Sequence, residues 1–253
     1  GMIAEIQDCW DEAEHHLAEA TCRWRAIGAP VEEAWALALL SRVALGKGDD
    51  TLAVRHAEHA LERFREAGYP TGIATALSRI AEVSRARGKD RHAAAAFHEA
   101  LQLWFDTGDR WLITLAIGGL ADLAALHGQP EVAATLVGHL DALAAENAAP
   151  LLSAARLTRD RAWRVASAHL SAAAANEAAT TGRAMSLDEA VALAQTVSVP
   201  GAIRSRLSSP DELTAREWEV LRLMAEMHTD SEIAELLSLS RRTVSGHVTH
   251  ILA

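Results

Sequence analysis

The chain is poor in the residues that staple, break or stiffen a fold. Cys9 and Cys22 are its only cysteines in 253 residues. Two thiols do not make a disulfide framework, and they read as reduced groups in a cytoplasmic protein. Six prolines leave room for long uninterrupted helices. Aromatic residues make up 4 % of a chain that is 50 % hydrophobic, so its apolar content is mainly Ala, Leu and Val. Ala and Leu favour helix, and a shortage of aromatics removes one support of a β fold. No run reaches the roughly 18 apolar residues of a membrane span, and no charged-then-apolar leader opens the chain. Positive charge is short as well. Lys and Arg number 24 against 34 Asp and Glu, a net charge of −10. That balance opposes holding DNA through bulk electrostatics, though it leaves room for a small reading module.

What the chain does have is a strict internal period. Gly28, Gly68 and Gly108 are spaced by 40 residues, and Gly48, Gly88 and Gly128 keep the same interval. Ala13, Ala53, Ala93 and Ala133 form a third column, and Ala20, Ala60, Ala100 and Leu140 a fourth. Trp24, Phe64 and Trp104 form a fifth, each four residues before a glycine of the first set. Each unit reads as two helices with a glycine closing each. In the first unit Val31–Leu45 carries apolar residues at helical spacing, and Asp50–Ala67 follows with Ala53, Ala57, Ala60, Leu61 and Phe64 on one stripe. The expected fold class is therefore all-α, an α-solenoid of helical hairpins followed by a partial helix-turn-helix. Residues 1–27 read as a half repeat, and 28–67, 68–107 and 108–147 as whole repeats. Because the array opens in mid-repeat, further repeats are expected before residue 1.

Paired helices with small residues at their crossing and an aromatic before the turn resemble tetratricopeptide repeats, although the usual period there is about 34. Each unit buries its apolar face only by stacking on its neighbours, which gives a curved array with a concave binding face. A protein or a small-molecule inducer is the expected partner of that face. After Asn147 the period fails. Leu151–Ala174 reads as helix, and Ser186 with Glu189 forms a capping box opening a helix to about Thr196. Residues 148–196 are expected to cap the array. Residues 197–210, with a Pro-Gly and a Ser-Ser-Pro, read as a linker.

The last 43 residues, 211–253, carry the most specific signal. Thr214 and Glu217 form one capping box, and Val220, Leu221 and Met224 give the helix behind it an apolar face. Thr229 and Glu232 open a short helix with Ile233, Ala234, Leu236 and Leu237. Ser238-Leu239-Ser240 is a tight turn, and a third helix follows with Val244, Val248, Ile251 and Leu252. A short helix, a turn and a longer helix make the arrangement that sets a recognition helix in the major groove. Leu213-Thr214-Ala215-Arg216-Glu217, Glu219-Val220-Leu221, Ile233-Ala234 and Ser240-Arg241-Arg242-Thr243-Val244 with His247-Val248 resemble the LuxR-type DNA-binding domain. The resemblance implies double-stranded DNA as partner, with Arg241 and Arg242 on phosphates and Thr243, Ser245 and Thr249 towards the groove. The family often has Lys at the position of Ser245 and a polar or basic residue at that of Thr249. Eight acids against four arginines in 211–253 also depart from a basic reading head. The family has a fourth helix that supplies its dimer contact, and the resemblance places it beyond Ala253. Weak or absent DNA binding is therefore expected of the 253 residues alone, and a homo-oligomer on DNA of the intact protein.

Repeats of about forty residues joined to such a domain resemble the large ATP-binding, MalT-like LuxR regulators, and Thr181–Val191 looks like the joint in predicted-ATPase members. That resemblance implies an upstream ATP-binding domain. No cofactor is expected in these 253 residues themselves, because Gly46-Lys47 and Gly88-Lys89 are repeat turns without a phosphate loop. No nucleophile elbow or Cys/His relay is present, so enzyme activity is not expected. Twelve histidines raise a metal reading, but no third ligand stands beside the His15/His16, His56/His59 or His92/His98 pairs. Trp35 and Trp111, expected on first helices, could grip an anionic or planar ligand together with Arg42 and Arg79. The plainer reading of these four is core aromatics and surface arginines. Two functions stay open: a DNA-binding transcriptional regulator whose repeats sense or relay a signal, and a repeat scaffold for protein partners with a non-functional helix-turn-helix.

Overall fold

The computed structural model describes residues 10–146 and 151–200, together with 220, 223, 224, 228–237 and 244. Among these residues every regular element is a helix, as the Ala- and Leu-rich composition predicts. The chain divides into two units, Gly1–Ile203 and Arg204–Ala253.

In the first unit, α1 (Trp10–Ala26) precedes three hairpins: α2 (Pro30–Gly46) with α3 (Asp50–Glu66), α4 (Pro70–Ala86) with α5 (Asp90–Asp106), and α6 (Ile113–Leu126) with α7 (Pro130–Glu146). Then come α8 (Ser153–His169), α9 (Ala172–Ala184) and α10 (Leu187–Gln195). The glycine columns set the turns. All six periodic glycines have positive φ, from 59° to 80°. At Gly48 the amide donates to the Leu45 carbonyl at 3.0 Å, and that of Asp49 to Ala44 at 2.9 Å. Two carbonyls that the helix end would orphan are thereby satisfied. Asp49 then starts the next helix, its carboxylate accepting the Leu52 amide at 2.9 Å.

From α1 to α9 each helix packs on the next, α10 packs back on α5, α6 and α7, and the first helices α2, α4 and α6 also pack on one another in succession. The alanine columns lie at the crossings: Ala53, Ala93 and Ala133 are wholly buried, as are Ala60, Ala100 and Leu140. Small side chains there let helix axes approach, and the aromatics fill what remains. Phe64 lies against Gly72 and Phe97 against Gly119, where an added Cβ would overlap the ring. The aromatic column is not uniform. Phe64 and Trp104 are 0 % exposed but Trp24 is 37 % exposed; among the described helices α1 packs chiefly on α2. Helix α6 is the centre of the unit, with every residue from Ile113 to Ala125 buried.

Three details differ from the sequence expectation. Trp111 lies in a turn before α6 rather than on a first helix. Where the earlier units open on Pro30 and Pro70, this one has Arg110, and the Asp109 carboxylate accepts the Trp111 and Leu112 amides at 3.3 and 2.9 Å. Helix formation is thereby delayed to Ile113. Leu151–Ala174 is not one helix. Leu170 turns extended, and the Ser171 hydroxyl accepts the Ala174 amide at 3.2 Å to begin α9. Thr181–Arg183, the start of the Thr181–Val191 stretch, lies inside α9, and Gly182 permits it: α7 and α9 meet through Gly138 and Gly182, where a Cβ on either would overlap the other helix's backbone. Finally, Val197–Pro200 runs back over the array instead of leaving it. Val197 and Val199 are buried, His98 Nε2 donates to the Val197 carbonyl at 3.0 Å, and Gln129 donates to that of Ser198 at 2.6 Å. The Ser186–Glu189 box forms as read, the Ser186 amide donating to Glu189 Oε2 at 2.8 Å and the Glu189 amide to Ser186 Oγ at 3.3 Å.

Candidate functional site

The described part of the second unit centres on one short helix, α11 (Asp230–Leu236). Its start is fixed locally. The Thr229 amide and hydroxyl donate to Glu232 Oε2 at 2.7 and 2.8 Å, and the Glu232 amide returns a bond to Thr229 Oγ1 at 3.4 Å. The same two bonds hold the Glu232 carboxyl below the usual carboxylate range. Ile233 and Ala234 point inward and meet Val220, Leu223 and Val244, with Met224 and Leu237 at the edge. Residues from all three expected helices thus share one small core. Leu236, expected on the apolar face, is 59 % exposed instead, since Ile233, Ala234 and Leu237 already occupy the inward side of a seven-residue helix. The first capping box at Thr214 and the reading residues Arg241, Arg242, Thr243, Ser245 and Thr249 lie outside the described residues, as do Leu221, Val248, Ile251 and Leu252.

The first unit contains a charged cavity of about 470 Å³. Helices α2, α4 and α6 supply one wall through Arg42, Glu82 and Asp122, which stand at the same register forty residues apart. Helix α8 supplies the opposite wall with Arg156, Leu157 and Arg161, and Phe97 and Leu45 add apolar surface. Asp122 is 1 % exposed and fully engaged. Its Oδ1 accepts Arg161 Nε at 2.6 Å, and its Oδ2 accepts a terminal Arg161 nitrogen at 2.7 Å and Arg85 Nε at 3.1 Å. Three arginine N–H groups thus satisfy a carboxylate that has almost no contact with solvent. The result is a clamp holding α8 against α4 and α6.

The four ligand candidates read from sequence have different surroundings. Arg42 faces the cavity and donates to Ser153 Oγ at 2.7 Å. Arg79 is buried and bound to Glu82 at 2.6 Å. Trp35 packs edge-on against Phe64 and Tyr69, with ring centres at 5.3 and 6.3 Å. Trp111 stands in its turn. Of the four, Arg42 alone lines the cavity. Sequence reading missed Arg85, Asp122, Arg156 and Arg161. One signal was available: the 42/82/122 column puts a charge into each first helix, and Asp122 is the lone charged residue between Ile113 and Leu126. No group of three His, Cys, Asp or Glu among the described residues could hold a metal ion. No described helix is long and apolar enough to cross a membrane.

Residues 211–253 match the family of bacterial regulatory proteins designated luxR. A curated relative, the uncharacterized response regulatory protein YgeK of Escherichia coli strain K12, is 50 % identical over 50 residues, covering 20 % of this chain and 34 % of its own length. The chain thus spans about a third of that relative's length. No solved structure matches the chain significantly. The C-terminal segment is accordingly of luxR-family type, and both likenesses cover a minor share of the whole.

Proposed function

We propose that the chain is part of a DNA-binding transcriptional regulator, in which the C-terminal segment reads double-stranded DNA and the helical array senses or relays a signal. One observation carries this: the luxR-family match over 211–253 falls on the segment where the Thr229–Glu232 cap and the Val220–Ile233–Val244 core assemble a small helical unit. Recognition helices need such a core to hold their angle to the groove. Arg241 and Arg242 are assigned to phosphates, and Thr243, Ser245 and Thr249 to the groove. Tetratricopeptide-like stacking is our reading of the hairpins, and oligomerisation on paired half-sites our reading of the active state. With eight acids in 211–253, binding rests on these few contacts rather than on the overall field.

The test is selection of genomic DNA fragments by the full-length gene product, beside its Arg241→Ala/Arg242→Ala variant. Enrichment of defined fragments by the native protein, lost in the variant, supports the reading. Each arginine removed is expected to lower the slope of log affinity against log salt by about 1. Equal recovery of fragments by both proteins would overturn it and favour a scaffold whose helix-turn-helix no longer reads DNA.

A further inference from the structure

The segment that closes the array, residues 197–200, is held by two repeats at once. Helix α5, in the second hairpin, supplies His98, whose Nε2 donates to the Val197 carbonyl at 3.0 Å. The same helix supplies Arg91, which reaches the Pro200 carbonyl at 3.4 Å. The turn between α6 and α7, in the third hairpin, supplies Gln129, which donates to the Ser198 carbonyl at 2.6 Å. Val197 and Val199 are buried and belong to the core of the array, whereas Ser198 and Pro200 are exposed. Helix α10 leads into the segment and packs on α5, α6 and α7, so it straddles the same two hairpins. The second unit of the chain begins at Arg204. Residues 197–200 are therefore the last described part of the array before the covalent link to the luxR-type segment.

The attachment is light. Among the described residues no backbone–backbone hydrogen bond joins residues 198–200 to the hairpins. Side chains hold the carbonyls, and two valines fill the space beneath. A segment with so few buried contacts opens at lower free energy than the packed helices around it. Its holders also stand on different stacking units. A solenoid flexes between repeats because each repeat contacts only its neighbours, and a shift of α6 against α5 moves Gln129 relative to His98. Hydrogen bonds occupy a narrow range of distance, so both bonds hold only within a narrow range of that stacking. Phe97 against Gly119 sets it, with no room for a Cβ between them. We propose that residues 197–200 are a releasable clasp. It is closed while the second and third hairpins stack through Phe97 and Gly119, and it opens when that stacking shifts, so that the array governs the link to the C-terminal segment. The inference rests on the relay role proposed for the array. It is tested without DNA, so failure of either leaves the other standing.

Rates of thiol labelling in the 253-residue chain decide the matter. In a Cys9→Ser/Cys22→Ser background, Val199→Cys puts a thiol on the buried side of the clasp. Val137→Cys, at a site 1 % exposed in α7, reports opening of the array itself. In native buffer the first thiol is expected to react at least about a hundredfold faster than the second. Gln129→Ala is expected to raise the first rate about fivefold and leave the second unchanged. Gly119→Ala, which displaces Phe97, is expected to raise the ratio of the two rates about tenfold. Gly72→Ala makes the same change against Phe64, between the first and second hairpins, and is expected to leave the ratio as it was. Gln129→Ala alters a turn residue outside the core and is expected to melt with its parent, so one arm is free of any folding defect in the glycine variants. Equal rates at the two thiols, a ratio indifferent to Gln129→Ala, or equal responses to Gly72→Ala and Gly119→Ala would each overturn the proposal.

Discussion

The periodic hairpins α1–α7 and the closing helices α8–α10 are built from the same Ala-rich material but are held by different physics. In the hairpins each turn is a glycine at positive φ, and small buried residues such as Ala53, Ala93 and Ala133 recur at the crossings. The closing helices have no such glycine at their ends. Helix α8 starts on Leu152 without a side-chain cap, α9 and α10 start on Ser171 and Ser186, and the three end in extended residues or a plain turn. They are fastened by Arg161 on Asp122, by Arg159 on Asp141 at 2.8 Å, and by the Gly138–Gly182 crossing. A repeat can rely on its neighbour to present the same face each time. A terminal helix meets that face once and needs its own fasteners. The charged cavity lies at the junction, where the regular wall of first helices faces α8.

The comparison breaks most visibly at the aromatic column. Trp104→Ala, in the hairpins, is expected to cost about 3–5 kcal/mol, whereas Trp24→Ala, at the open end of the same column, should cost about 1 kcal/mol. Denaturant melts of the two variants measure the gap, and equal losses would refute the claim that stacking buries the column. Gly182→Val comes next. Its side chain would meet the Thr135 backbone across α7, and about 3 kcal/mol should be lost. Were α9 free of α7, the change would be neutral.

Smaller effects separate the two kinds of fastening. Arg161→Ala removes one partner of Asp122 but leaves Arg85, and the Arg161 side chain is 44 % exposed, so about 1 kcal/mol is expected after solvent screening. Hydrogen exchange should show the loosening in α8 rather than in α2–α5. Gly48→Ala has open space for its Cβ, so its cost is backbone strain alone, about 1 kcal/mol, and it should leave the closing helices unchanged. The smallest effect is that of pH. Burial lowers His98 and His139 below their ordinary value of 6.5, partly offset for His98 by its hydrogen bond to the Val197 carbonyl. A histidine kept neutral on folding takes up its proton more readily in the unfolded chain. Stability should therefore be full above about pH 6.5 and decline as pH falls below it. His139→Leu should flatten part of that decline in thermal melts, and an unaltered profile would remove His139 as a cause.

Reading outward from the residues recovered most of the array. Gly48 with Asp49, the Ser186–Glu189 box and the Thr229–Glu232 box are legible because every partner in them lies within five positions. The delay of α6 was not, although its cause, Arg110 in a column of prolines with Asp109 beside it, is also local. Of the cavity, Arg42 alone was named beforehand. Arg79, read as its companion, is taken by Glu82 three residues away, while Arg161 reaches an acid 39 residues distant.

By itself, then, the sequence determined the all-α class, the forty-residue period, the positions of the turns and the luxR-type character of the C-terminal segment. These follow from backbone preferences and short-range hydrogen bonds that each stretch of chain carries with it. Only tertiary packing decided that Val197–Pro200 lies on the array, that α7 and α9 approach through two glycines, and that Asp122 is enclosed by Arg85 and Arg161 with Arg156 beside them. A side chain's charge is written in its identity, but whether that charge is spent on a neighbour depends on which distant helix folds against it.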